Sequence, residues 1–566
     1  MSRKALALAF LFALGGLWPA EAEEPVVDPT SWVVRVWSRE HGLLRQLAER
    51  YDFWSFDWRR GFATVRVSAE GYRELEARGL LLELDEERTR VLQSGPEAVP
   101  GQLAGIPGFP CYRTVEETYN ALAALAAAHP ELASWIDYGD SWEKLHGPGA
   151  GYDLRALALT NQAVPGPKFP FVLLAAIHAR ELTTAELATR FAEQLVNGYG
   201  SDADATWLLD YGVIYILPQQ NPDGRKKAEM GLLWRKNVDS AGCGSSNSRG
   251  IDLNRNSDYF WGGASSSSDP CSDIYRGASA ASEPETAAVQ SFLETVFADQ
   301  RGPQLTDPAP ATTTGLFISL HSYGELVLYP WEGLDAVPAP NLPELQTFAR
   351  KLSFLNGYNS CEDALGPAGG TTVDQAYGEL GVASYTFEMG TDFFESCATA
   401  EASVFPPNLV ALRYAAKAAR RPYQEPSGPE TLSPAVSASP VPAGTPVILT
   451  AIADDTRSSS NGCGGDPAQA VTSASYTVDQ PPWLASVSNA LSATDGTFNS
   501  SVEALTGSFD TTGLAPGRHR LYLVATDALG HQGVPSAVFL DITASTPIFA
   551  DGFETGTTAA WAAVVP

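Results

Sequence analysis

The chain changes its hydrophobic period several times. Between Trp32 and Asp85 short apolar runs alternate with stretches of helical spacing: "WVVRVW", "EHGLLRQLAERY", "FATVRVS", "EGYRELEARG" and "LLLEL". They predict strand, helix, strand, helix and strand in a small α+β unit. The next stretch, "DEERTRVLQSGPEAVPGQLAGIPGFP", is rich in Gly and Pro, carries Arg88 and Arg90, and reads as an exposed, cleavable linker. In "TVEETYNALAALAAAHP", Val115, Tyr119, Leu122 and Leu125 share one helical stripe that Pro130 ends. Beyond it "RALALT", "FVLLAAI", "VIYILP", "LFISL" and "SYTFEM" are strand candidates, and "AELATRFAEQLVNG" and "PELQTFARKLSFLNG" are helices between some of them. This is the pattern of an α/β region whose largely parallel or mixed sheet is covered by helices. After about Pro422 the composition moves to Ser, Pro, Thr and Ala. The alternating runs "TPVILTAIA", "SASYTV", "HRLYLVATD" and "AVFLDIT" then predict a β-sandwich.

Composition narrows the setting. At 566 residues the chain exceeds what one hydrophobic core normally supports. With 37 Lys+Arg against 66 Asp+Glu, its net charge of -29 repels phosphate backbones and anionic headgroups, which argues against nucleic acid or a membrane surface as partner. At the start, Arg3 and Lys4 precede an apolar run from Ala5 to Trp18, followed by the small-x-small pattern Ala20-Glu21-Ala22. That reads as a secretory signal peptide over 1–22 and not as a membrane anchor, because the run is shorter than the roughly 20 residues of a span. Export, to the extracellular space or to the periplasm of a bacterium, makes Cys111, Cys243, Cys271, Cys361, Cys397 and Cys463 disulfide candidates.

Chemistry gathers at strand ends. In "FVLLAAIHARELTTAE", His178 and Glu181 stand three apart where a buried strand gives way to a helix, so their side chains can converge. His321 leaves the strand of "GLFISLHSYGE" at the equivalent place, past its carboxyl end. Two imidazoles and a carboxylate form a catalytic zinc set that leaves one position for water.

Five ordered segments, "HARE", "LLWRKN", "GIDLNRN", "LHSYGELVLYP" and "SYTFEMG", resemble the zinc metallocarboxypeptidases of the carboxypeptidase A and B family, peptidase M14, over about residues 110 to 420. The resemblance implies a mixed eight-stranded sheet with helices on both faces. It also implies one zinc ion in the catalytic domain, held by His178, Glu181 and His321, with Asp252 orienting His178. In its terms Glu388 takes a proton from zinc-activated water and passes it to the leaving amine, and Arg235 polarises the scissile carbonyl. Asn254 and Arg255 grip the terminal carboxylate of a peptide or protein substrate, and Arg180 contacts the substrate further upstream. Val373 falls where family members set their preference and leans it to apolar or broad. Glu332, after "LYPW", lies near where other members carry an acid that selects Lys or Arg. The family's mobile tyrosine has no counterpart: the matching place holds Leu365 and Gly366, with Tyr358 and Tyr377 as possible stand-ins.

The resulting division is a signal peptide (1–22), a pro-segment-like α+β domain (23–90), a linker (91–109) and a zinc carboxypeptidase domain (110–422). A second linker (423–445), a β-sandwich (446–545) and a tail (546–566) follow. A permanent accessory domain is the alternative for the N-terminal unit. The expected protein is a secreted, monomeric zinc exopeptidase. A zinc amidase acting on cell-wall peptides or acyl-amino acids, and a silent binding module of the same fold, are the other classes. Cys243 with Cys271 matches a disulfide of the pancreatic relatives. Cys361 with Cys397 would tie the pocket loop to the segment after Glu388, leaving Cys111 and Cys463 to link the catalytic region to the C-terminal domain, although connectivity is not deducible from sequence.

Overall fold

Alternation along the first strand decides how the N-terminal unit is mounted. The computed structural model describes residues 30–544 apart from 58, 97–98, 148, 241, 244–248, 335–336 and 362–364, so the signal peptide and the tail expected at 546–566 lie outside the described residues. Strands β1 (Ser31–Trp37), β2 (Asp52–Asp57), β3 (Phe62–Ser68) and β4 (Leu81–Leu84) form an antiparallel sheet in the order β2-β3-β1-β4. Val34 and Val36 of β1 pack with Leu43, Leu47 and Leu75 of the helices His41–Arg50 and Ala69–Ala77. Val33, on the opposite face, joins Trp54 in the core of the next domain, as the two-residue period of a strand requires. The stretch read as an exposed linker from Asp85 opens instead with a helix, Glu86–Ser94, capped by the Asp85 side chain on the Arg88 amide. Its Leu92 is buried in the central core and Arg88 pairs with Asp85 and Asp392, so the boundary at residue 90 cuts through a packed element. Leu103, beyond the helix, is fully exposed.

The central sheet contains β5 (Ala133–Asp140), β6 (Asp153–Leu159), β7 (Phe169–Leu174), β8 (Gly212–Leu217), β9 (Leu316–His321), β10 (Leu326–Leu328), β11 (Asn359–Ser360) and β12 (Ala383–Glu388). Their order is β11-β10-β12-β9-β7-β8-β6-β5, parallel across β12, β9, β7 and β8 and antiparallel at β10 with β12, β6 with β8, and β5 with β6. Apolar residues pack on both faces. Phe171, Leu173 and Ile318 face a cluster with Leu187, Phe191 and Leu195 of the helix Leu182–Gly198, and Val172, Leu174 and Phe317 face one with Val289 and Leu293 of the helix Pro284–Val296. That two-sided burial explains why these strands read as unbroken apolar runs.

The segment read as the second linker, 423–445, carries strands. β13 (Glu430–Val436) and β14 (Val441–Pro442) join β15 (Val447–Asp454), β16 (Val471–Val478), β17 (Asn489–Ala493), β18 (Val502–Phe509), β19 (Gly517–Asp527) and β20 (Ser536–Thr543). All eight lie in one curled ladder, β13-β15-β18-β17-β16-β19-β20-β14, closed over a core of its own that includes Val447, Leu449, Leu505, Leu521 and Leu540. Docking to the central domain is extensive: Trp483 packs edge-on against Trp207, Tyr211 and Phe169, Arg520 pairs with Asp210 at 2.9 Å, and Lys417 donates to Ser536 at 2.7 Å. The disulfides join Cys111 to Cys397, Cys243 to Cys271 and Cys361 to Cys463. The expected Cys243–Cys271 pair is present and the other two exchange partners, because Cys361 follows an edge strand that Gly462 of the C-terminal domain bridges at Ser360, while Cys111 lies beside the segment after Glu388, where Tyr112 bonds the Glu395 carbonyl.

Candidate metal centre and substrate cleft

The site is assembled where the parallel strands end. After β7 the chain turns through residues 175–181 into the helix Leu182–Gly198, and buried polar groups hold that turn. Arg225 donates to the carbonyls of Ala179, Glu181 and Leu182 at 3.1–3.2 Å, and Asn221 donates to the carbonyl of Ile177 at 3.2 Å. Sequence reasoning missed both residues. Their signal was "NPDGRKK", a helix start with Asn as cap and Pro at the first position, which predicts the helix Pro222–Glu229 but not the target of its arginine. On the neighbouring strands, β9 and β12 run parallel with His321 level with Glu388. One register therefore carries a candidate ligand and the candidate base side by side.

His178, Glu181 and His321 are all buried, and one donor atom from each lies within 4.8 Å of the others. His178 Nδ1 is 2.7 Å from Glu181 Oε1 and 3.1 Å from His321 Nδ1. Glu181 Oε2 is buried without a hydrogen-bond partner, 3.3 Å from His321 Nδ1. The far ring nitrogens are engaged elsewhere, His178 Nε2 with Asp252 Oδ1 at 3.1 Å and His321 Nε2 with Ser319 Oγ at 2.9 Å. With protons on the far nitrogens, both rings present lone pairs to the Glu181 carboxylate, His178 to Oε1 and His321 to the orphaned Oε2, an arrangement that a shared cation relieves. Two imidazoles and one carboxylate fit zinc. Burial would raise the Glu181 pKa, but the two histidines more than reverse this and hold it well below the usual range; burial lowers His321, favouring the neutral ring.

Most of the remaining expected residues meet here, while Arg180 and Val373 do not line the cleft. Asp252 takes His178 on one oxygen and Arg235 on the other, at 2.8 and 3.0 Å from Nη2 and Nε. Burial opposes its ionisation, yet Arg235, Arg255 and His178 bring its pKa well below normal. Asn254 Oδ1 accepts from the Thr372 amide at 3.1 Å, which turns its own amide nitrogen the other way. Arg255 is fixed by bonds from Nε to the Ser265 carbonyl and from Nη1 to the Asn254 carbonyl, each 2.7 Å. Close beneath it, Gly370 has φ +82°, and a Cβ there would lie 2.3 Å from the Arg255 carbonyl oxygen. Arg235, Asn254, Arg255 and the half-buried Glu388 line one cleft with His178, Glu181 and His321. Arg180 is buried between the rings of Phe393 and Trp54 and pairs with Asp52 of the N-terminal domain at 3.1 Å.

Val373 turns away from the cleft altogether. It belongs to the apolar cluster of Val172, Phe317 and Leu380 and is absent from the cleft lining, because the helix Thr372–Leu380 turns that side chain towards the sheet. Glu332 lines the cleft instead, buried beside Thr371 and Thr386, with Oε1 2.6 Å from Thr386 Oγ1. Leu365 and Gly366 also line it, where the tyrosine is missing. Tyr358 and Tyr377 do not: their hydroxyls bond Asn408 and Asn341 within the core.

If these three side chains hold the ion, His178→Ala loses it. Asp252→Asn keeps all three ligands but weakens retention about 10- to 100-fold, because the ring loses its anionic partner. Metal content after dialysis against a graded chelator measures both.

A family model described as zinc carboxypeptidase matches residues 118–404. Rat carboxypeptidase A1 is 31% identical over 294 residues, which span 50% of this chain and 63% of the relative, so the match leaves over a third of that protein uncovered. Rat carboxypeptidase A2 is 30% identical over 319 residues, 54% of this chain and 68% of the relative. Among solved structures, carboxypeptidase A of Helicoverpa armigera superposes with a TM-score of 0.55 at 22% identity, covering 69% of this chain and 98% of that one, a likeness of fold. With the motifs in order and the trio converged at the carboxyl ends of β7 and β9, the chain belongs to the zinc carboxypeptidase family, peptidase M14.

Proposed function

We propose that this protein is a secreted metallocarboxypeptidase that removes single residues from peptide and protein C-termini. The observation that carries the reading is one cleft lined by the ligand trio, a carboxylate at the adjoining strand end, and three further polar groups suited to a peptide terminus. A zinc ion in the cradle supplies Lewis acidity to water or a carbonyl oxygen. Glu388 accepts a proton from the attacking water as the new C–O bond forms, then delivers it to the amine nitrogen as the C–N bond breaks. Burial and the nearby Glu181 charge raise its pKa, which suits a group that must hold that proton between the two events. Arg235, clamped by Asp252, offers a fixed charge to the carbonyl oxygen. Asn254 and Arg255 bind the terminal carboxylate, and that contact restricts cleavage to chain ends.

With Val373 out of the cleft and Glu332 in it, the preference we infer is for a basic terminal side chain. Glu332 and its neighbour Asp374 are buried acids, and burial raises the pKa of each. A bound Lys or Arg would supply the counter-charge for Glu332.

The N-terminal unit acts as a pro-segment. Ala48, Asp52, Phe53 and Trp54 lie in the same cleft, and Asp52 occupies Arg180. Although burial would raise the Asp52 pKa, Arg180 and Arg66 more than reverse it and hold it well below the carboxylate range. A depressed carboxylate stabilises the docked state above its ordinary pKa, and the contribution fades as pH falls through the folded value. Arg88 is occupied, so removal of the segment falls in the exposed chain around Leu103.

Three outcomes follow. Glu388→Gln keeps its metal and loses about 10²- to 10⁴-fold in kcat on blocked dipeptides; near-normal turnover would remove the role assigned to it. Glu332→Gln lowers the kcat/KM ratio of Lys over Leu termini about tenfold or more, read on the same panel. Asp52→Asn leaves Arg180 buried without its counter-charge, so activity of the uncleaved chain rises about tenfold or more; unchanged latency would place the block elsewhere.

A further inference from the structure

We propose that the C-terminal β-domain is a working part of the cleft wall. In this reading Gly462 and Cys463 are positioning residues that hold the segment from Asn359 to Cys361 and so set the pocket for the substrate's terminal residue. The inference rests on the exopeptidase reading only in calling the cleft a substrate site.

The wall of that pocket includes Leu365, Gly366, Pro367 and Ala368, with Thr371 beyond. Its far end is anchored by the central domain, through Ala368 N to the Glu332 carbonyl at 2.6 Å and Gly369 N to the Ala264 carbonyl at 2.9 Å. Its near end begins at β11, which pairs with β10 only at Leu326↔Asn359 and Val327↔Ser360. So short a strand at a sheet edge is weakly held and exposes unpaired backbone groups. The C-terminal domain covers that edge. Gly462 forms a parallel bridge with Ser360, Cys463 N donates to the Ser360 carbonyl at 2.7 Å, Ser360 Oγ donates to the Asn461 carbonyl at 3.3 Å, and a disulfide joins Cys361 to Cys463. Gly462 has φ +102°, and a Cβ there would lie 1.8 Å from the Ser360 carbonyl oxygen, so any other residue forces the two segments apart.

The tethering loop is itself braced. Arg350, buried on the helix Leu342–Asn356, donates to the Cys463 carbonyl, pairs with Asp466 at 3.5 Å, and accepts Ser459 N on its own carbonyl at 3.0 Å. The cleft wall is therefore strung between an anchor in the central domain and one supplied by the C-terminal domain. On its other side β10 pairs with β12, placing Leu326 opposite Glu388. Releasing the near anchor loosens the pocket while sparing β9 and the trio.

Losing a purely stabilising cross-link would lower the unfolding temperature and leave substrate affinity alone, so the test separates the two. Cys361→Ser with Cys463→Ser removes the covalent tie, and Gly462→Ala disturbs the contact with the disulfide kept. For each, KM for the best blocked dipeptide is expected to rise about tenfold with kcat within about threefold and metal content unchanged. Amide exchange at Ala368 and Gly369 is expected to speed up about tenfold or more while Leu320 and Phe387 keep their protection. Unchanged KM and unchanged exchange in both variants, with only a lower unfolding temperature, would overturn the proposal. Exchange is read without substrate. If the parent chain turned over no dipeptide, the exopeptidase reading would fall and the exchange rates alone would decide this one.

Discussion

Three buried side chains converge on one point with more acceptor atoms than they have donors to share. His178, Glu181 and His321 meet within hydrogen-bond range of one another, and Glu181 Oε2 is buried without a hydrogen-bond partner. Burying such a group uncompensated costs several kcal/mol, of order the net stability of a domain. A divalent cation turns that liability into binding energy, and much of the surrounding structure can be read as support for it. Arg225 and Asn221 hold the turn that carries the first two groups, the parallel pairing of β7, β9 and β12 brings the third alongside Glu388, and Asp252 and Ser319 engage the outer ring nitrogens.

The charge pattern around the trio follows from the same burial. Asp252 is shared between His178 and Arg235, so one carboxylate orients both a candidate ligand and the cation that faces the cleft. Arg180 finds its counter-charge outside the central domain, in Asp52, with aromatic faces of Phe393 and Trp54 against its guanidinium. Acids without a basic partner among the described residues lie on the pocket side, where Glu332 and Asp374 stand close together and accept from hydroxyl and amide donors. The cleft is thus cationic around Arg235 and Arg255 and acidic around Glu332.

Domain boundaries drawn from composition cross packed surfaces here. One apolar cluster takes in Val33, Trp54 and Leu92 from the N-terminal unit, Phe171 and Trp207 from the central domain, and Tyr522, Val534 and Ala537 from the C-terminal one. Gly- and Pro-rich composition marked where the chain changes character. It could not mark where contacts stop, because Asp85 caps a helix and Glu430–Val436 pairs as a strand inside stretches that look like spacers.

What the linear sequence determined by itself was everything carried by local period and order. Two-sided apolar runs named the parallel strands, the resemblance to a family supplied Asp252, Arg235, Asn254 and Arg255, and polar residues at strand ends named the trio and Glu388. These were legible because a strand end is a property of its own few residues. Tertiary structure alone decided the partners across space: that Cys361 reaches Cys463 and Cys111 reaches Cys397, that Arg88 is held and Arg180 is covered, and that Glu332 enters the cleft while Val373 turns into the core. The physical reason is the same in each case. A side chain's direction depends on how its element is rotated against a neighbour hundreds of residues away, and one helical position, about 100° of rotation, is enough to exchange a pocket wall for a core.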